Sequence, residues 1–150
     1  MSEHNLAQRL NNLSSNYARY DGEEEELHTD GPFRIVRHRR GMGRIAHYAV
    51  IDDIPVAYCT GYDAKRPNRQ RFIITSTFVH PDYRKKGIAA AIYRAIIDDG
   101  ITLVSDWELS EGAKALWAHL QRSEPMRDII SFREGYVAHR RSSRMTSETM

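Results

Sequence analysis

The chain has 150 residues, 41% of them hydrophobic and 28% charged, which fits one soluble globular domain able to bury an ordinary core. No apolar run approaches a membrane span, and Met1-Ser2-Glu3-His4-Asn5 has neither the basic nor the apolar region of a signal peptide. Net charge is only +2, Cys59 is alone, and the seven His show no metal-ligand spacing, so the expectation is a cytoplasmic protein without intrachain disulfide or metal.

Leu6, Leu10, Leu13 and Tyr17 recur at the spacing of one helical face and predict a helix over 3–19. Residues 21–31 place the acidic run Glu23–Glu26 between Asp21-Gly22 and Asp30-Gly31-Pro32 and read as a linker. Strands are expected over 33–38, 44–51 and 55–62, with turns at Gly41-Met42-Gly43 and Asp52-Asp53. A polar loop over 64–70 then leads to a central strand, Arg71 to Val79. Gly87 to Asp99 reads as a helix burying Ile88, Ala91, Ile92, Ala95 and Ile96, with Gly100 past its end. Ile101–Val104 is a short buried strand, and a helix capped by Ser110 runs to about Leu120. One or two strands are expected within 129–138. The organisation predicted is an N-terminal helix and acidic linker (1–31), a folded domain (32–139) and a disordered Ser/Arg/Thr-rich tail (140–150). Strands followed by helix, strand, helix and strand make an α+β sheet domain, and the strand–helix–strand unit over 71–104 is a right-handed parallel crossover.

Basic residues cluster at Arg37-His38-Arg39-Arg40 with Arg44, at Lys65-Arg66 with Arg69 and Arg71, and at Arg84-Lys85-Lys86. The first two clusters read as solvated surface. No aromatic residue is interleaved within these clusters, so a nucleic-acid partner is disfavoured. The third cluster is different. Val79-His80-Pro81-Asp82-Tyr83-Arg84-Lys85-Lys86-Gly87-Ile88-Ala89 joins a strand to a helix start through a basic turn. Amides freed at a helix N-terminus, the helix dipole and a glycine that admits close approach make an anion cradle.

That string resembles the V-x-P-x-x-R-x-x-G-x-A motif of the GNAT superfamily of N-acetyltransferases. Ser110-Glu111-Gly112-Ala113-Lys114-Ala115-Leu116-Trp117 is similar to the superfamily's N-x-x-A-x-x-L-Y segment, with Ser for Asn and Trp for Tyr. The resemblance covers residues 44–120. Residues 77–93 with Ser105-Asp106 and Leu116-Trp117 are also similar to small acetyltransferase-like proteins of bacteriophages, for which the compartment would be the host cytoplasm. The resemblance implies a mixed, mostly antiparallel sheet splayed between two parallel strands and flanked by helices. Acetyl-CoA as acyl donor would lie in the gap. Phe78 and Val79 would pair with its pantetheine arm, Arg84, Lys85, Lys86, Gly87, Ile88 and Ala89 would hold its pyrophosphate, and Trp117 would line the arm. The implied partners are acetyl-CoA and an unknown amine acceptor; a host or partner protein and a homodimer stay open.

Three departures from the superfamily bear on mechanism. Only residues 39–43 separate the first two strands, where family members place two helices. The Tyr that often protonates the departing thiolate is Trp117, whose indole has no proton to give at a useful pKa. The strand over 71–79 carries Thr75, Ser76 and Thr77 but no Glu to act as base. Acyl transfer asks for little beyond these groups: a thiolate of pKa about 8.5 leaves readily, and positioning supplies much of the acceleration. Asp106 is the candidate base and Ser110 the candidate hydrogen-bond partner of the thiol. Tyr83, Tyr93 and Tyr136 are alternatives for the missing acid. A loop acid, a helix cap and a packed indole are the plain structural roles of Asp106, Ser110 and Trp117. The competing functional reading is a cofactor-binding domain with little or no turnover that acts by binding a partner protein.

Overall fold

The computed structural model describes residues 3–27, 29, 31–66, 69–105, 111–123, 127–132 and 135–140. Helix α1 (Glu3–Arg19) precedes five strands, β1 (Glu25–Leu27), β2 (Arg34–Arg40), β3 (Arg44–Ile51), β4 (Ile54–Arg66) and β5 (Arg69–Val79). Helix α2 (Ile88–Asp98), β6 (Thr102–Val104), α3 (Glu111–Ser123), β7 (Arg127–Phe132) and β8 (Gly135–Arg140) follow. The strands form one sheet in the order β1-β2-β3-β4-β5-β6-β8-β7, antiparallel throughout except for the parallel pair β5–β6. Asp52 and Asp53 both take positive φ (50° and 65°), the backbone of a two-residue type I′ hairpin turn.

The sheet is covered on both faces, because its strands alternate residues between two cores. Leu6, Leu10, Leu13 and Tyr17 lay the predicted stripe of α1 on Val36, Tyr48, Tyr58 and Phe78. On the other face Ile88, Ile92 and Ile96 of α2 and Trp117 and Leu120 of α3 pack with Ile35, Val56, Phe72 and Leu103. Among the described residues no helix is long and apolar enough to cross a membrane.

Two expectations are corrected. The segment expected to be a linker carries β1, which pairs antiparallel with β2 over Glu25–Leu27. Its pattern is electrostatic rather than apolar. Glu24 and Glu26 bridge to Arg34, Glu25 bridges to Arg37 and Arg39, and Glu24 Oε1 lies 2.8 Å from His38 Nε2. The arginines of β2 are therefore largely paired with the acidic run rather than simply solvated. The polar loop expected over 64–70 is mostly strand, since β4 and β5 stay paired out to Arg66 and Arg69. Pairing in a long hairpin overrides the weak β-propensity of Lys, Arg and Gln. The expected tail lies, beyond Arg140, outside the described residues.

Beneath α2, Arg37 is buried and ties four elements together. Its Nε donates to His47 Nε2 at 3.0 Å, and its Nη1 reaches Glu25 at 3.2 Å and Asp99, at the end of α2, at 3.0 Å. A His that accepts from a guanidinium is neutral, and burial first, with the Arg37 charge second, holds His47 well below its ordinary value. His38 is shifted the same way by burial, against the pull of Glu24. The unfolded chain then binds more protons than the folded one below about pH 6.5. Stability should accordingly be full above pH 6.5 and fall as pH drops toward 5. Each histidine adds at most about 1.4 kcal/mol per pH unit. Glu24 and Glu25, held low, add their own loss only below about pH 4.5. His47→Gln should flatten the melting temperature between pH 6.5 and 5; a slope equal to wild type would show that His47 does not set it.

Candidate active site

The turn after β5 has the shape that its sequence predicts. His80 caps a short 3₁₀ turn, Pro81–Tyr83, its Nδ1 accepting from the Asp82 amide at 3.1 Å. Lys85 and Gly87 both sit in left-handed conformation (φ 64° and 74°). Gly87 is the N-cap of α2 and no side chain caps it. Its carbonyl takes the first helical bond, from Ala91. The amides of Ile88, Ala89 and Ala90 are thus left without helical partners at the positive end of the dipole. A Cβ built on Gly87 would meet no protein atom within 4 Å. Open space, unclaimed amides and exposed Lys85 and Lys86 are what an oxyanion cradle requires.

Arg84 is directed back along the strand. Its Nε donates to Val79 O at 3.0 Å and its guanidinium lies 5.7 Å from the centre of the Phe78 ring. Phe78 is buried on the α1 face against Tyr58, while Val79 packs on the opposite core. Beside the cradle a cavity of about 270 Å³ opens between Lys86, Gly87, Arg94 and the loop at Gly31–Phe33. Arg94, about two turns into α2, was not singled out from sequence; it lies seven residues from Gly87, on the same helix flank as Ala91 and Asp98.

Strands β5 and β6 pair only from Arg71↔Thr102 to Ile73↔Val104. Beyond Ile73, β5 runs on for six more residues with no strand on its β6 side among the described residues. That stretch is an open row of backbone donors and acceptors, the surface to which an extended, amide-bearing ligand can pair. The parting begins at a β-bulge. Thr60 faces Ser76 but Gly61 faces Ile74, so Thr75 has no partner across β4. Only glycine fits at 61, since a Cβ there would stand 2.0 Å from the Ile73 carbonyl oxygen. The bulge flips the face order of β5: Phe72 and Ile74 point toward α2 before it, and Thr77 does so after it.

Under the open stretch lies a buried polar contact. Thr77 Oγ1 and Tyr93 Oη are 2.8 Å apart, and Thr77 also donates to Cys59 Sγ at 3.7 Å. Burial pushes the Cys59 thiol up to about 12 and raises Tyr93 far above an ordinary phenol, so neither titrates near neutrality. Trp117 is 1% exposed and packs on Tyr93 with ring centres 5.3 Å apart. Of the alternative acids, Tyr93 is sealed in this network and Tyr83 packs against the core with its ring edge toward His80. The Tyr136 side chain, Asp106 and Ser110 lie outside the described residues.

The Acetyltransferase (GNAT) family profile matches residues 8–124. The chain belongs to the GNAT family of acetyltransferases. No curated protein sequence matches it. Among solved structures it is similar to the ribosomal-protein-alanine N-acetyltransferase of Brucella melitensis biovar Abortus 2308, at 20% identity over 63% of this chain and 74% of that one, TM-score 0.46. The ribosomal-protein-S18-alanine N-acetyltransferase of Escherichia coli is similar at 17% identity over 69% and 72%, TM-score 0.48. The NatC complex bound to Gag peptide and CoA is similar at 20% identity over 65% and 71%, TM-score 0.44.

Proposed function

We propose that this protein is an acetyl-CoA-dependent N-acyltransferase that moves an acetyl group to an amine of a small molecule or protein, by direct attack within a ternary complex. The observation that carries the reading is the uncapped start of α2, set where β5 leaves β6 with an open edge. The residues fit the donor: the turn from Arg84 to Ala89 holds the pyrophosphate, and backbone along Phe78 and Val79 pairs with the pantetheine arm. Trp117 supports that wall from behind, through Tyr93 and Thr77. Acetyl-CoA supplies the thioester. The protein orients it, excludes water and accepts a proton. Asp106 is the base for the acceptor nitrogen and Ser110 the hydrogen-bond partner of the thiol.

Calorimetry with acetyl-CoA and thiol release with a panel of amines test the reading together. Asp106→Asn keeps shape while removing basicity, and should lower kcat/KM about 100-fold, the low end for general-base catalysis, with CoA affinity unchanged. Wild-type rates across pH 6–9 would assign the base elsewhere. One observation favours a second reading. A buried indole stands where the family often has a tyrosine, which suits a domain that binds the cofactor, turns over weakly and acts through a partner protein. Cofactor binding without thiol release from any amine would select it.

A further inference from the structure

A second cavity, of about 380 Å³, lies on the α1 face of the sheet. It is walled by Asn16 at the end of α1, by Arg40, Arg44 and Tyr48 of β2 and β3, and by Thr60, Tyr62 and Thr75 of β4 and β5. Its size is within the range of pockets for small ligands. Its position is set by register: Thr75 is the bulged residue, two beyond Ile73, where β5 parts from β6. The cavity therefore opens on the sheet at the level of the splay, with α2 and the cradle helix start on the other face.

Its charge is one-sided. Both ionised groups lining it are guanidiniums, and no carboxylate lines it. Arg40 is braced, its Nη2 donating to Asn16 O at 2.9 Å and to Tyr48 Oη at 3.0 Å, with the guanidinium 5.6 Å from the Tyr20 ring centre. Arg44 is exposed and its guanidinium has no hydrogen-bond or ion-pair partner among the described residues. A third cation stands close by, Arg9 of α1, whose Nη2 reaches Ser76 Oγ at 3.4 Å, one residue past the bulge. Thr75 Oγ1 donates to Thr60 O at 3.1 Å, which places a fixed hydroxyl on the cavity floor.

We propose that this cavity is the acceptor subsite and that the acceptor is an amine carrying an oxyanion, a carboxylate or phosphate, a few bonds from its nitrogen. Arg40 and Arg44 hold the oxyanion, and the amine lies toward Thr75 and the gap. The proposal rests on the acetyl-transfer reading of the cradle. A braced arginine beside a free one forms charge-assisted bonds to an oxyanion, whereas a second ammonium on the acceptor would face like charge. The same cations disfavour the protonated amine, which leaves less for a base to do. In the transfer, the acceptor nitrogen bonds to the acetyl carbon and the carbon–sulfur bond breaks. Sulfur leaves with the electron pair, and the nitrogen's proton passes to the base and from it to solvent.

The test compares thiol release from acetyl-CoA with 4-aminobutyrate, 3-aminopropylphosphonate, butylamine and 1,4-diaminobutane. The two oxyanion-bearing amines should exceed butylamine roughly tenfold or more in kcat/KM, with the diamine lowest. Their ratio separates carboxylate from phosphate. Arg44→Glu should erase the preference chiefly through KM while calorimetric affinity for CoA stays unchanged. A diamine as good as 4-aminobutyrate, or a preference that survives Arg44→Glu, overturns the proposal. A second arm needs no turnover: 4-acetamidobutyrate, 3-acetamidopropylphosphonate and N-butylacetamide are titrated with NMR detection. Shifts at Arg44, Thr60 and Thr75 from the anions but not from the neutral amide support the subsite even if CoA fails to bind and the acetyl-transfer reading falls. Tight CoA binding with no such shifts overturns the subsite and spares the cradle.

Discussion

Trp117→Ala should lower the free energy of unfolding by about 3–5 kcal/mol, the usual cost of emptying a buried Trp site. For a chain of this size that is a fall in melting temperature of roughly 6–20 °C. Trp117 is among the largest fully buried side chains, and its neighbours are held from both sides of the α2–α3 contact. The loss should not stay local. Tyr93 rests on the indole and its hydroxyl bonds Thr77 on the open stretch of β5, so the wall that would bear the cofactor arm loosens with it. Trp117→Phe keeps an aromatic ring on Tyr93 and should retain most of the stability and any turnover. A stably folded Trp117→Phe protein with no activity would give the indole a chemical role that packing does not explain.

Gly87→Val should abolish detectable binding of CoA in calorimetry while the circular dichroism spectrum keeps its wild-type shape. Two effects act together at φ 74°. A side chain in left-handed conformation costs about 1–2 kcal/mol, more when branched at Cβ, and it projects into the space an oxyanion would enter. Because no protein atom lies within 4 Å of that Cβ, the block falls on the ligand rather than on the core. Gly87→Asn separates the two effects, since Asn accepts left-handed backbone but still fills the space. CoA affinity retained in the Asn variant and lost in the Val variant would trace the loss to backbone strain; affinity retained in both would remove the cradle from the cofactor site.

Local patterns in the sequence carried much of this fold. The Leu6-Leu10-Leu13-Tyr17 stripe marks the buried face of α1, and the basic turn with Gly87 marks the start of α2. Features that depend on pairing were not legible. β1 has no apolar alternation, because its attachment to β2 is made by carboxylates on arginines and by an added edge ladder. The bulge at Thr75 exists only relative to β4, and Gly61 shows its necessity only when Ile73 is placed against it. The second cavity was hidden for the same reason. Asn16, Arg40, Arg44, Thr60 and Thr75 are far apart in the chain and meet through strand register, so Arg40 and Arg44 read as ordinary surface. Asp106 and Ser110 lie outside the described residues.

The acidic run along β2 also has a kinetic meaning. A polyanion approaching by diffusion is guided by whichever cationic surface its field reaches first, and a basic strand of four arginines would be a decoy. With Glu24, Glu25 and Glu26 laid over Arg34, Arg37 and Arg39, that strand presents near-neutral dipoles instead. The unscreened cations left at the surface include Lys85 and Lys86 at the helix start and Arg44 on the opposite face. On the proposed acetyl-CoA reading, the association rate of this multiply charged donor should fall as ionic strength rises. The intramolecular pairing that fastens an edge strand thus also takes competing positive charge off β2.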